Sequence, residues 1–340
     1  MNAPLAIRRC GLVTSVGLSA ASSCAAMRAK LGNPTETRFM DSGGTWIMGH
    51  QVALESPWRG MVKLSRMAVM SINEALAGIP RERRSEIPLL LCVAERERPG
   101  RLAGLEDQLL AQIESELGTR FAPQSAVVPH GRVAVAAALH QARQLINARQ
   151  AAQVLIVAAD SLLNAATLSA YDTQERLLNE RNSNGFMPGE AAGAILVGPA
   201  GSGPELRCCG IGFDIEPAHI ASEEPLRGDG LARACKAALA DAGSAMHDLN
   251  YRIADLSGEH YYFKEAALAL SRTMRTLKEE FDLWHPAEAI GEIGAASGIA
   301  VLALADAASR KGYAPGAGVI AHFSSDAGQR AAIVLQYREA

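Results

Sequence analysis

Six cysteines, eight histidines and one Ser-Gly-Glu-His tetrad are the residues of this 340-residue chain best suited to nucleophilic or metal chemistry. The cysteines are Cys10, Cys24, Cys92, Cys208, Cys209 and Cys235. They are scattered, most lie in apolar runs, and no C-x-x-C or Cys–His spacing suits zinc. They are expected to be reduced and buried, with no metal or cofactor bound. Cys208 and Cys209 are neighbours in a strand-like run, so their side chains face opposite sides and pack rather than cycle between redox states. Ser257, Glu259 and His260 offer the residue types of a hydrolytic triad, but a triad is assembled in space, and near neighbours in sequence seldom align. His130-Gly131-Arg132 precedes an Ala-rich helical run, a position where helix N–H groups could hold an anion. Tyr261-Tyr262-Phe263 is expected to pack in a core or an interface. Arg81-Glu82-Arg83-Arg84 is mixed in charge and reads as a solvated loop.

The elements that would position these residues alternate. Residues 5–13, 89–94, 154–159 and 192–197 read as strands; residues 19–31, 64–76, 105–117 and 133–146 read as helices. Residues 174–188 are polar and loop-like. A similar programme then restarts. Residues 206–213 form a strand, 230–239 a helix, 252–256 a short strand, 262–283 a long helix and 294–309 an Ala-rich helix. Residues 318–322 and 331–336 are the last strands. Strands alternating with helices imply a parallel-rich sheet covered on both faces. The stretch Pro-Ala-Gly-Ser-Gly-Pro at 199–204 is the linker signal, dividing the chain into halves 1–200 and 205–340. Hydrophobic residues make up 49%, enough for a large core. A net charge of -3 offers no basic field for nucleic acid. No apolar run reaches the roughly 18–20 residues of a membrane span. Arg8 and Arg9 precede a mildly apolar stretch, but its serines interrupt it, so a cytoplasmic location is expected.

Four local patterns in this duplicated frame resemble one family. Arg9-Cys10-Gly11-Leu12-Val13-Thr14-Ser15-Val16-Gly17 looks like a "TGLG-x-x-(S/T)-P-x-G" opening strand and turn. Asn184-Gly185-Phe186-Met187-Pro188-Gly189-Glu190-Ala191-Ala192-Gly193 looks like "DGF-x-x-GEGAG". Gly291-Glu292-Ile293-Gly294-Ala295-Ala296-Ser297-Gly298 resembles "GHTLGAAGG", and Ser325 to Ala331 stands where "GFGGTNA" is expected. The order and spread of the matches resemble the β-ketoacyl-acyl-carrier-protein synthases of the thiolase-like superfamily. The resemblance implies an α/β fold of two duplicated βαβαβαββ halves in a five-layered αβαβα arrangement. It also implies that Glu190, with Gly185, Phe186 and Gly189, is structural.

Those synthases use a cysteine nucleophile and two histidines. A thiolate at a helix start attacks the acyl group, and the imidazoles stabilise an enolate oxygen. The resemblance places the nucleophile near Gly131 and the histidines near Asp255 and near Gly291 or Glu292, so none of the three types is kept. The nearest cysteine in sequence is Cys92. Without a thiolate no acyl-enzyme forms. The implied cleft is lined instead by His130, Arg132, Asp255, Glu292, Ser325 and Asp326, with Glu259, His260 and His322 nearby. The expected function is therefore that of a catalytically inactive synthase-like protein acting as a binding, scaffold or assembly partner. It could resemble a chain-length factor, or an accessory protein of a bacterial secretion or effector cluster. The alternative is an active 3-oxoacyl-carrier synthase or acyltransferase with a non-standard site. A homodimer or heterodimer is expected through the strand from Val154 to Ala159, and an acyl carrier protein or a secretion-system protein is a further expected partner.

Overall fold

A computed structural model describes residues 3–339. Its β-branched runs and Ala-rich stretches build two sets of five strands. The first set is β1 (Leu5–Val13), β2 (Leu89–Cys92), β3 (Ala126–Val128), β4 (Val154–Ser161) and β5 (Glu190–Pro199). The second is β6 (Glu205–Ile215), β7 (Tyr251–Ala254), β8 (Leu283–Trp284), β9 (Gly318–Ser324) and β10 (Gln329–Arg338). Their spatial order is β3-β2-β4-β5-β1 and β8-β7-β9-β10-β6. Counted within each set, both read 3-2-4-5-1, with the fifth strand antiparallel to its neighbours. Among the described residues, the strand pairing of Leu5–Ile7 of β1 with Leu206–Cys208 of β6 joins the two sets.

Eight longer helices cover the strands: α1 (Ala20–Arg28), α2 (Gly60–Ala75), α3 (Leu109–Leu117), α4 (Ala134–Asn147), α5 (Ala165–Thr173), α6 (Asp229–Ala242), α7 (His260–Thr273) and α8 (Ser297–Arg310). Side chains alternate along the strands, so one face of each half-sheet meets one helix layer. Leu90, Ile156 and Ile195 of the first half share a core with Ile253, Val319 and Ile333 of the second, around Leu139 of α4 and Ile299 of α8. Leu89, Leu91, Leu155 and Val157 face the other way, onto Leu64 and Ile72 of α2 and Ile113 of α3. Ile320 and Val334 pack on Leu231 and Ala238 of α6, with Ala269 of α7. The result is five layers with α4 and α8 at the centre. Gly298 lets those two helices close together, because a Cβ there would lie 2.5 Å from the Cβ of Val135.

Three expectations change. The run from Val154 to Ala159, through which pairing with a second chain is expected, is not open to a partner. It is bonded to β2 on one side and β5 on the other, and every residue of it is buried. A continuous apolar run is the pattern of an interior strand. The edge of the first half is β3, too short to show a pattern in the sequence. The long helix expected over 262–283 ends at Thr273, where Met274 adopts extended backbone, and its expected last residue, Leu283, instead opens β8. A hairpin of Thr35–Met40 and Trp46–Gly49 forms where no element is expected. Among the described residues, no helix is long and apolar enough to cross a membrane.

Candidate functional site

The centre of the molecule is where α4 and α8 begin. Gly131 follows β3 with a φ of +52°, opens one 3-10 turn and leads into α4. This is the position at which the resemblance expects a cysteine. A Cβ on Gly131 would lie 2.0 Å from Oε2 of Glu95. That carboxylate is held in place by Arg98, whose Nε donates to Oε1 at 3.1 Å and whose Nη2 donates to Oε2 at 2.7 Å. Nη1 of Arg98 donates to Oδ2 of Asp160 at 2.7 Å, and the same oxygen accepts from the Ala295 N–H at 2.8 Å. A side chain at residue 131 therefore meets an ion pair rather than a pocket.

Arg132 supplies the second part. Its guanidinium donates to Asp326 at 2.5 Å, to the Tyr262 hydroxyl at 2.7 Å and to Glu292 at 3.4 Å, and lies 3.9 Å from Asp255. It also rests on the Tyr262 ring, 4.5 Å from the centroid. The Tyr262 hydroxyl donates to Asp326. Arg176, from the loop after α5, completes the set. It clamps Glu259 with bonds of 2.7 and 2.8 Å and reaches Asp326 at 2.6 Å. The side chains of Arg98, Arg132 and Arg176 are 4%, 8% and 13% exposed, so the three guanidiniums are largely withdrawn from water, while Asp326 keeps a partly open side. The void left among them is about 10 Å³, the room of a single water molecule. Among the described residues, no cysteine or histidine lines it.

Burial and charge set the protonation states. Burial pushes Asp255 up to about 7 against the pull of Arg132. Burial also raises Glu292 and Asp160. Burial would raise Asp326 as well, but Arg132 and Arg176 overcome it and hold that carboxyl well below the usual range. Burial lowers His322 to about 3, so this imidazole is neutral. Cys92 is buried, and burial pushes its thiol up and disfavours the thiolate.

Of the residues expected in the cleft, Arg132, Asp255, Glu292 and Asp326 come together, and Gly291 adjoins Asp255. His130 does not join them and is exposed. Ser325 is buried in the turn between β9 and β10, where its hydroxyl accepts from the Ala327 N–H. His260 is exposed at the start of α7. Glu95, Arg98 and Arg176 were not expected, although charges directly after the buried strand at residues 89–94 are a signal of inward-facing ionic groups. Glu190 accepts from the Val52 N–H at 3.0 Å and from the Ser161 hydroxyl at 3.0 Å, and pairs with Lys63. Phe186 is buried edge-on against Tyr171, with ring centroids 5.1 Å apart. The Phe186 N–H donates to the Arg176 carbonyl at 3.0 Å, which ties this ring to the loop that carries Arg176.

No protein-family model matches the chain, and no curated protein is similar to it in sequence. Solved structures are similar in shape. A chain of the ishigamide ketosynthase/chain length factor superposes with a TM-score of 0.81 at 17% identity, over 99% of this chain and 100% of that one. The ketosynthase ApeO in complex with its chain length factor ApeC, from Xenorhabdus doucetiae, gives 0.77 at 12%, over 99% and 98%. The AntDE:AntF complex, a type II polyketide synthase acyl-carrier protein with its ketosynthase bound to the hexaketide, gives 0.79 at 13%, over 99% and 100%. The chain has the ketosynthase fold. This thiolase-like architecture extends over nearly the whole length of both partners in each superposition. The helix that begins at Gly131 thus belongs to a ketosynthase-like frame, and what fills its mouth is the ionic cluster described above.

Proposed function

We propose that this chain is a non-condensing partner subunit that pairs with a second thiolase-fold chain, one that carries the cysteine. The observation that carries this reading is the Glu95–Arg98 pair seated over Gly131, where a nucleophile would have to stand. A glycine supplies no thiol, and the space for one is occupied. Chain length factors appear beside ketosynthases in the similar structures, which supports a pairing role for a chain of this fold. The edge strand β3 is the surface to use. It is bonded only to β2, and its residues are all Ala or Val. The Val128 carbonyl accepts from Val93, so alternation turns the N–H and C=O of Val127 to the open side. An open apolar edge needs a cover, and a second edge running alongside supplies one. A lasting interface of this kind buries on the order of 2,000 Å² or more.

The test has two readouts. Incubated with malonyl- and acyl-loaded carrier protein, the purified chain is expected to show no acyl adduct by intact mass and no release of CO2. Val127→Pro removes only the outward N–H, a change an edge strand tolerates. It is expected to leave the chain folded while abolishing its pairing in light scattering, whether with itself or with a co-expressed ketosynthase. An acyl adduct on the wild type, or undiminished pairing by the folded variant, would overturn the reading.

A further inference from the structure

A second cavity, which shares no lining residue with the ionic cluster, lies where α1 meets β8 and the end of α8. It has a volume of about 220 Å³. Its floor is apolar: Met27, Leu304 and Ala289 are buried beneath it. Trp284 and Tyr313 form an aromatic wall, with their rings 23° from parallel and centroids 6.4 Å apart. On the measure by which a single water needs about 10–15 Å³, the cavity holds many. That suits a ligand of one ring with a short substituent.

The lip carries charge of one effective sign. Glu288 is already engaged, 3.2 Å from His285 and 3.6 Å from Lys30. Burial lowers the pKa of His285, so it contributes no charge near neutrality. Arg28 is the unmatched group. Among the described residues no carboxylate lies within 4.0 Å of it, and its guanidinium stacks on Tyr313 at 4.2 Å from the ring centroid. A guanidinium whose face is stacked keeps its N–H edge free, and that edge matches a carboxylate with two parallel bonds. An apolar, ring-walled cavity with one uncompensated planar cation at its mouth has the features of a small-ligand site.

We infer that this cavity binds a small aromatic carboxylate, with the ring against Trp284 and the carboxylate on Arg28. The inference is independent of the pairing role and of the chemistry at Gly131. Phenylacetate is the probe, titrated into the full chain by calorimetry and by ligand-observed NMR. Saturable one-to-one binding is expected. Phenylacetamide, which has the same shape without the charge, should bind at least roughly tenfold more weakly, as should phenylacetate to Arg28→Gln. Arg28 is exposed, so that variant should fold, and thermal melting verifies it. Trp284→Ala should remove binding. Absence of saturation, equal binding of acetate, or unchanged affinity in folded Arg28→Gln would each overturn the assignment.

Discussion

The two helices that meet at the centre of the molecule begin alike and are completed differently. Each starts at a glycine in the left-handed region, φ +52° at Gly131 and +56° at Gly294, followed by one 3-10 turn. At each a Cβ would strike a carboxylate, 2.0 Å from Glu95 or 2.1 Å from Asp160. At the second start the carboxylates are bonded to the backbone. Glu292 accepts from the Gly294 N–H and Asp160 from the Ala295 N–H, both at 2.8 Å. At the first start the Gly131 N–H goes to the Val93 carbonyl instead, and Glu95 is held by Arg98. The second start is thus capped by carboxylates that satisfy helix donors. The first is a mouth closed by an ion pair. Closure of a site and capping of a helix use the same residue types but have different consequences when disturbed.

The largest effect is expected from removing the group shared by both starts. Arg98→Met leaves Glu95 and Asp160 buried without their cation and should cost about 3–5 kcal/mol, measured by urea unfolding. Stability equal to the wild type would show that the pair does not hold the centre together. Gly294→Ala comes next, at about 2–4 kcal/mol. It imposes a left-handed conformation on alanine and displaces an Asp160 side chain only 4% exposed. Gly131→Ala should cost less, about 1–2 kcal/mol, because the Glu95 side chain is 14% exposed and can swing outward. A reversed order of the two glycine variants would mean that the first start, not the second, is the rigid one.

The last effect is read in pH. The folded state raises Asp255 from its ordinary value of 3.8 to about 7, so it binds this proton more tightly than the unfolded chain does. The contribution of this group is present below pH 4 and is lost as pH rises toward 7. Asp326, held low, acts oppositely and withdraws its contribution as pH falls through the ordinary carboxylate range. Asp255→Asn should remove the loss between pH 4 and 7, worth about 1–3 kcal/mol, while leaving the acid limb due to Asp326. Thermal melting across pH 3–8 measures both limbs, and an unchanged profile in Asp255→Asn would mean that this carboxyl is not the group that titrates.

Much of the architecture was legible because it rests on periodicity. Alternating strand and helix patterns, restarted after residue 204, are visible in the residues themselves. The exceptions are instructive. Val154 to Ala159 was expected to carry the pairing between chains, yet its unbroken apolar character is what interior position produces. The actual edge, β3, is three residues long and has no period to detect. In the site, Glu292 and Asp326 could be gathered because they lie in motifs that resemble the synthases, and Arg132 and Asp255 because the resemblance expects catalytic residues at or beside them. Glu95, Arg98 and Arg176 lie in segments without such a motif, and charge in a loop is ordinarily a sign of solvent. Their burial depends on neutralisation by partners as far as 150 residues away, as for Arg176 and Asp326, and no local pattern encodes that.

The pairing of β1 has a consequence for synthesis of the chain. Leu5 of β1 is registered with Pro199 of β5 on one side and with Cys208 of β6 on the other. Both neighbours of the first strand are therefore translated long after it. At a ribosomal pace of about 5–20 residues per second, β1 waits roughly ten to forty seconds for its ladder. During that interval α1 and α2 are available to shelter it, and α2 sits so close that Gly11 has no room for a Cβ, which would fall 2.0 Å from the Ser71 carbonyl oxygen. A β1–α2 unit that docks before the sheet exists would keep the nascent apolar strand out of reach of other chains, and ribosome-stalled fragments ending before and after residue 75 should differ in their protection of β1 from proteolysis.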